Sequence, residues 1–196
     1  MEQRIIVNGV TGEQLVFGEY GTDKNGTFLR FDEVSLPADS AGPEEHRHLL
    51  GDEYFEVVEG RLGIRIDGEE SVLEPGESTS VPAGTRHMWW NAGDTTVVGR
   101  GELRNPGRFE ELVTTFFALG NRGMVGRNGQ PGLLQTAVVL AEYADEYDPS
   151  FLPRPVKFLL NYVVAPLGRA LGYPVVVPYA PPSTPHTADR LVTSHP

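Results

Sequence analysis

The chain has 196 residues, a formal net charge of −11, 39% hydrophobic residues and no cysteine. That charge excludes sequence-independent binding to nucleic acid, which needs clustered Lys and Arg to displace phosphate counterions. The missing cysteine excludes disulfides, thiolate metal sites and cysteine nucleophiles.

Residues 4–104 read as short strands separated by turns. RIIVNG and EQLVFGEY are apolar and β-rich, and NGTFLRFDEVSLP follows an Asn25-Gly26 pair that predicts a tight hairpin. EYFEVVEG and RLGIRIDG meet at Glu59-Gly60. In the second, Leu62, Ile64 and Ile66 alternate with Gly63, Arg65 and Asp67, the period of a half-buried strand, and Asp67-Gly68 marks another turn. SVLEPG, STSVPAG, HMWWNAG and TTVVGRGELRN continue the series, which predicts an all-β sandwich or barrel.

The period then changes. Asn105 and Pro106 predict a helix start, with Asn as the cap and Pro in the first turn. Phe109, Leu112, Val113 and Phe116 follow helical spacing, and so do Leu134, Ala137, Val138 and Ala141 after a Gly-rich loop. A third segment puts Val156, Leu159, Leu160, Val163, Val164, Leu167 and Leu171 on one stripe, with a kink expected at Pro166. Its uncharged run is too short to span a bilayer, so this helix is expected to pack on the barrel or on a second subunit. From Tyr173 the chain is Pro-rich and reads as an extended strap. No acidic residue lies between Pro149 and Thr187, which suits a segment packed on the rest of the protein or facing a partner or lipid surface. The division expected is a barrel over residues 1–105, a helical extension over 106–172 and a tail over 173–196. The N-terminus lacks a basic segment leading into an apolar core, so the expected location is cytoplasmic.

Five histidines are present, and two of them, His186 and His195, fall in the tail. His46 and His48 are two apart, so in a strand they project from one face with Arg47 turned away. Glu53 follows a turn at Gly51-Asp52, and His87 follows a Pro82-x-Gly84 corner. Three imidazoles and one carboxylate suit one divalent first-row metal (Mn, Fe, Co, Ni or Zn), and the donor set alone does not choose among them. By alternation Trp89 shares a face with His87, and Phe55 with Glu53. Phe55 and Trp89 are therefore candidate substrate-binding residues, with core packing as the alternative.

His46-x-His48-x4-Glu53-x6-Gly60 resembles the first signature of the cupin superfamily, with Ser40 where the family carries a glycine. Gly76-x5-Pro82-x-Gly84-x2-His87-x3-Asn91 resembles the second at every defined position. LGYPVVVPY, residues 171–179, is similar to the end of the helical extension in some single-cupin bacterial proteins. The resemblance implies a mainly β fold, a double-stranded β-helix (jelly-roll) barrel followed by about three α-helices, with the metal held by His46, His48, Glu53 and His87. It also implies a metalloenzyme acting on a small oxygen-bearing organic substrate, dioxygenase-like ahead of decarboxylase, isomerase or cyclase. A non-catalytic small-molecule binding or sensing module is the alternative, and a structural ion a third reading. The apolar third helix and family habit point to a homodimer. No catalytic residue beyond the metal ligands is singled out.

Overall fold

The fold is taken from a computed structural model and is described for residues 4–126 and 130–182. His186, His195 and the end of the expected tail lie outside the described residues. The strands are β1 (Arg4–Val7), β2 (Gln14–Asp23), β3 (Gly26–Leu36), β4 (Arg47–His48), β5 (Glu53–Glu59), β6 (Leu62–Ile66), β7 (Glu69–Leu73), β8 (Ser78–Val81), β9 (His87–Asn91) and β10 (Val97–Arg104). Six form an antiparallel sheet in the order β1-β2-β3-β10-β5-β8, and three form a second in the order β7-β6-β9. Leu36, Phe55, Val57, Val81 and Val97 of the first join Leu62, Ile64 and Trp89 of the second in one buried cluster. The two sheets therefore close face to face as a double-stranded β-helix, driven by the apolar side chains that alternation turns inward.

Two hairpins show how turn chemistry sets register. Asp67 (φ 47) and Gly68 (φ 90) both adopt left-handed backbone, so the β6–β7 loop is a two-residue turn of the kind that matches strand twist. The expected Asn25-Gly26 tip is displaced by one residue. Asp23 pairs with Gly26, so Lys24 and Asn25 form the tip and Gly26 (φ 112) closes it.

After the barrel come α1 (Phe109–Asn121), α2 (Leu133–Glu142), β11 (Tyr147–Asp148), α3 (Arg154–Leu159), a π-helical turn (Leu160–Val164) and α4 (Ala165–Ala170). The expected cap at Asn105 is corrected. Asn105 takes φ 42 and Gly107 φ 52, so the chain turns once more before the helix begins. The helix start is instead met from a distance, because the Arg108 amide donates to the Glu146 carboxylate. A carboxylate at a helix N-terminus supplies the missing acceptor and suits the helix dipole. Phe117, with Phe109 and Val113 beside it, packs α1 onto Ile6, Leu15, Leu29 and Leu103.

The third apolar stripe also differs from expectation. Leu160 and Val164 turn inward toward Ala137 of α2, whereas Leu159, Val163, Leu167 and Leu171 are each 50–61% exposed. The break before Pro166 takes the form of a π turn, in which the Ala165 amide reaches back to the Leu160 carbonyl. That widening relieves the clash a proline ring makes with the preceding turn. Beyond α4 the described residues, up to 182, form neither helix nor strand. Gln135 donates to the Pro174 carbonyl, Val177 is buried against α1 and α2, and the Val7 amide donates to the Tyr179 hydroxyl at 2.9 Å. Among the described residues no helix is long and apolar enough to cross a membrane.

Candidate metal centre

Residues 41–48 run beside β9 as an irregular strand. His46 and His87 exchange both backbone hydrogen bonds at 2.9 Å, and Ala41 bridges Trp90. This places His46, His48 and His87 on one wall of the barrel. Glu53 opens β5 on the facing sheet, held between Val81 and Leu103. Gly51 makes the approach possible, since a Cβ there would lie 1.7 Å from the Arg104 carbonyl oxygen. All four side chains are buried, and one ligand atom from each lies within 4.8 Å of the others.

The spacings suit a common ion. His46 Nε2 is 3.3 Å from His48 Nε2, His48 Nε2 is 3.3 Å from Glu53 Oε2, and His87 Nε2 is 2.9 Å from Glu53 Oε2. Ligands at about 2.1 Å from one ion stand about 3 Å apart when adjacent and about 4.2 Å apart when opposite. His46 Nδ1 is 2.9 Å from the Glu44 carbonyl and His87 Nδ1 is 3.0 Å from that of Thr85. A carbonyl only accepts, so Nδ1 carries the proton in both rings, and a neutral ring then offers the Nε2 lone pair to the centre.

Electrostatics agree. Burial, reinforced by the neighbouring imidazoles, pushes His46 down to about 3, which keeps it neutral and able to donate its lone pair. Burial opposes ionisation of Glu53, but His48 and His87 outweigh it and hold the carboxyl well below its usual range. His87 is raised, because the Glu53 carboxylate beside it outweighs the effect of burial. A buried carboxylate among imidazole lone pairs is a setting for a cation.

Alternation along β9 holds: His87, Trp89 and Asn91 face in, and Met88 and Trp90 are half-buried. Phe55 and Trp89 sit in the barrel core with ring centroids 6.1 Å apart, and Trp89 lies against Gly42. They border a cavity whose lining contains none of the four ligand residues. Two residues not singled out as site residues do touch the imidazoles. Tyr147 of β11 stacks on His46 at 4.9 Å and 21°, and Phe109 meets His48 edge-on at 5.1 Å. Burial pushes the Tyr147 hydroxyl well above its ordinary range. Phe109 carried only a core-stripe signal. Tyr147 carried none, because its place depends on the pairing of β11 with β4, where Tyr147 opposes His48.

A β barrel with three histidines and a glutamate gathered inside it is the architecture of cupins. Residues 33–99 match the family model described as Cupin domain. Among curated proteins the chain is similar to Oxidoreductase iacF of Pestalotiopsis fici, 43% identical over 85 residues that cover 43% of this chain and 35% of that one. It is 42% identical over 50 residues to the tetracenomycin polyketide synthase protein TcmJ of Streptomyces glaucescens, covering 26% of this chain and 34% of that one. Probable oxidoreductase virH of Hypocrea virens is 26% identical over 157 residues, covering 68% and 65%. The chain spans about a third of the length of the first two.

Proposed function

We propose that this chain is a metal-dependent cupin enzyme that acts on a small oxygen-bearing organic substrate, with dioxygenase-like chemistry favoured. The observation that carries this reading is the convergence of His46, His48, Glu53 and His87 within 4.8 Å inside the barrel. One divalent ion from the series Mn, Fe, Co, Ni and Zn, held by these four, would supply Lewis acidity and open coordination positions. Glu44 and Thr85 aim the imidazoles through their carbonyls, and the apolar surroundings keep water away. The oxidoreductase names of two relatives support the oxidative branch. A narrow cavity bordering His48 favours an accessible ion over a purely structural one.

The test is metal analysis of the purified and reconstituted protein, paired with O₂ uptake on phenols and dicarbonyls. About one equivalent of metal is expected in the wild type, and less than about a tenth in His87→Ala. A wild type that retains less than a tenth of an equivalent after reconstitution defeats the reading. As part of the same reading, we assign residues 1–105 to the barrel unit, 106–172 to its extension and 173–196 to a tail. The exposed outer face of α3 and α4 supports assembly as a homodimer.

A further inference from the structure

We propose that Phe109 and Tyr147, both supplied by the extension, are positioning residues of the metal centre, and that together they aim the His48 imidazole at the point where the four ligand atoms meet. The inference rests on the metal reading above and adds two residues that lie outside both ligand motifs. His46 and His87 are each oriented by a carbonyl that takes the Nδ1 proton, that of Glu44 at 2.9 Å and that of Thr85 at 3.0 Å. His48 is held differently. Its Nε2 faces His46 and Glu53, and among the described residues no acceptor meets its Nδ1. A ring without that second hydrogen bond turns about its Cβ–Cγ bond unless packing stops it. Aromatic rings supply the packing. Phe109 stands edge-on to His48 at 5.1 Å and 76°, and is itself set against Phe31 of the barrel core at 6.0 Å and 85°. Tyr147 meets His48 at 6.0 Å and 67° while it stacks on His46 at 4.9 Å and 21°. Strand register delivers it there. Tyr147 lies directly opposite His48 in the antiparallel pair of β11 and β4. Such partners project from one face, and an aromatic side chain also reaches the residue two positions along the facing strand. That residue is His46, so one tyrosine braces both members of the His-x-His pair. The ring does this and not the hydroxyl, which makes no hydrogen bond among the described residues. Phe109 and Tyr147 both lie outside residues 33–99, so a ligand of the cupin unit is oriented by the extension.

The probe is divalent cobalt alone, titrated into the full chain and read by its visible absorption, which reports both binding and the geometry of the ligand shell. Tyr147→Leu is expected to weaken binding about tenfold or more and Phe109→Leu about threefold or more, each with an altered absorption band. Tyr147→Phe keeps the ring and is expected to stay within about twofold of wild type. Phe117→Leu removes another buried ring of α1, one that makes no ring contact with an imidazole among the described residues. It too is expected to stay within about twofold. Tyr147→Met serves if Tyr147→Leu fails to fold, with the same loss expected. Wild-type affinity in the Tyr147 and Phe109 leucine variants, or an equal loss in Phe117→Leu, overturns the proposal. In parallel the metal-free proteins are compared by nuclear Overhauser contacts between the His48 ring and those of His46 and His87, whose centroids lie 5.0 and 5.4 Å from it. Tyr147→Leu is expected to weaken these contacts. Weakened contacts in a protein that retains no cobalt uphold the aiming role and sink only the metal reading. Contacts that neither leucine variant changes overturn the proposal, whether or not cobalt binds.

Discussion

Glu13 sits just ahead of β2 with 8% of its surface exposed, and burial pushes its carboxyl up to about 8. In the unfolded chain the same group ionises near its ordinary value of 4.5. Between these limits the folded state keeps a proton that the unfolded state has released. Its contribution is therefore full below about pH 4.5 and is lost as pH rises through 8. Glu13→Gln removes this dependence. It is expected to stabilise the protein at pH 8.5 by on the order of 2–4 kcal/mol relative to wild type, with little change at pH 4.5. Urea midpoints at the two pH values check it, and parallel pH profiles for the two proteins would count against it. At the same scale, Gly51→Ala would drive its methyl into the Arg104 carbonyl. The expected outcome is a lower melting temperature together with weaker metal retention, because Gly51 lies between His48 and Glu53.

At the scale of elements, β11 matters most. Its two pairs with β4 are flanked by hydrogen bonds from the Leu49 amide to the Glu146 carbonyl and from the Phe151 amide to that of Glu45. Asp148 anchors the segment, reaching Arg47 at 3.1 Å and Lys157 at 2.5 Å. Asp148 and Lys157 are only about a fifth exposed, so removing Asp148 leaves a partly desolvated ammonium without its partner. Asp148→Ala is expected to speed exchange of the Leu49 amide about tenfold while the β5 and β10 amides hold their protection, as local opening of this cover requires. Unchanged exchange at Leu49 would show that Asp148 does not hold the strand. The helical segments were legible from apolar spacing at 3.6 residues per turn, whereas a two-residue strand carries no period at all. It exists only because β4 offers an unpaired edge.

Among the described residues, the segment from α3 to α4 has apolar side chains both inside and outside: Leu160 and Ala165 are buried, while Phe158 and Tyr162 are 64% and 69% exposed. Lys157 and Arg169 of the same segment are taken up in ion pairs with Asp148 and Glu142. A contiguous exposed apolar patch marks an interaction surface. A standard interface takes about 800 Å² from each partner, and Phe158, Leu159, Tyr162, Val163, Leu167 and Leu171, each at least half exposed, are candidates for its apolar centre. A dimer of twice 21.5 kDa is the expected outcome of light scattering at micromolar concentration, and Phe158→Glu with Leu167→Glu is expected to return it to one chain. Wild type that stays at 21.5 kDa throughout would remove this face as a homodimer contact.

Local chemistry in the sequence was sufficient for a series of short strands with turns at Asp67-Gly68 and Gly60, and the motifs resembling the cupin signatures singled out the jelly-roll barrel and the candidate ligands His46, His48, Glu53 and His87. Alternation, left-handed glycines and the His-x-His spacing are short-range properties written in neighbouring residues. Tertiary structure alone decided which aromatic rings reach the centre. It sent Phe55 and Trp89 into the core and brought Tyr147, about a hundred residues beyond His46, onto the imidazole. It also decided that Glu146, and not Asn105, meets the start of α1. Such contacts arise when separate elements compete to cover buried surface, and that competition is settled by the packing of the whole chain.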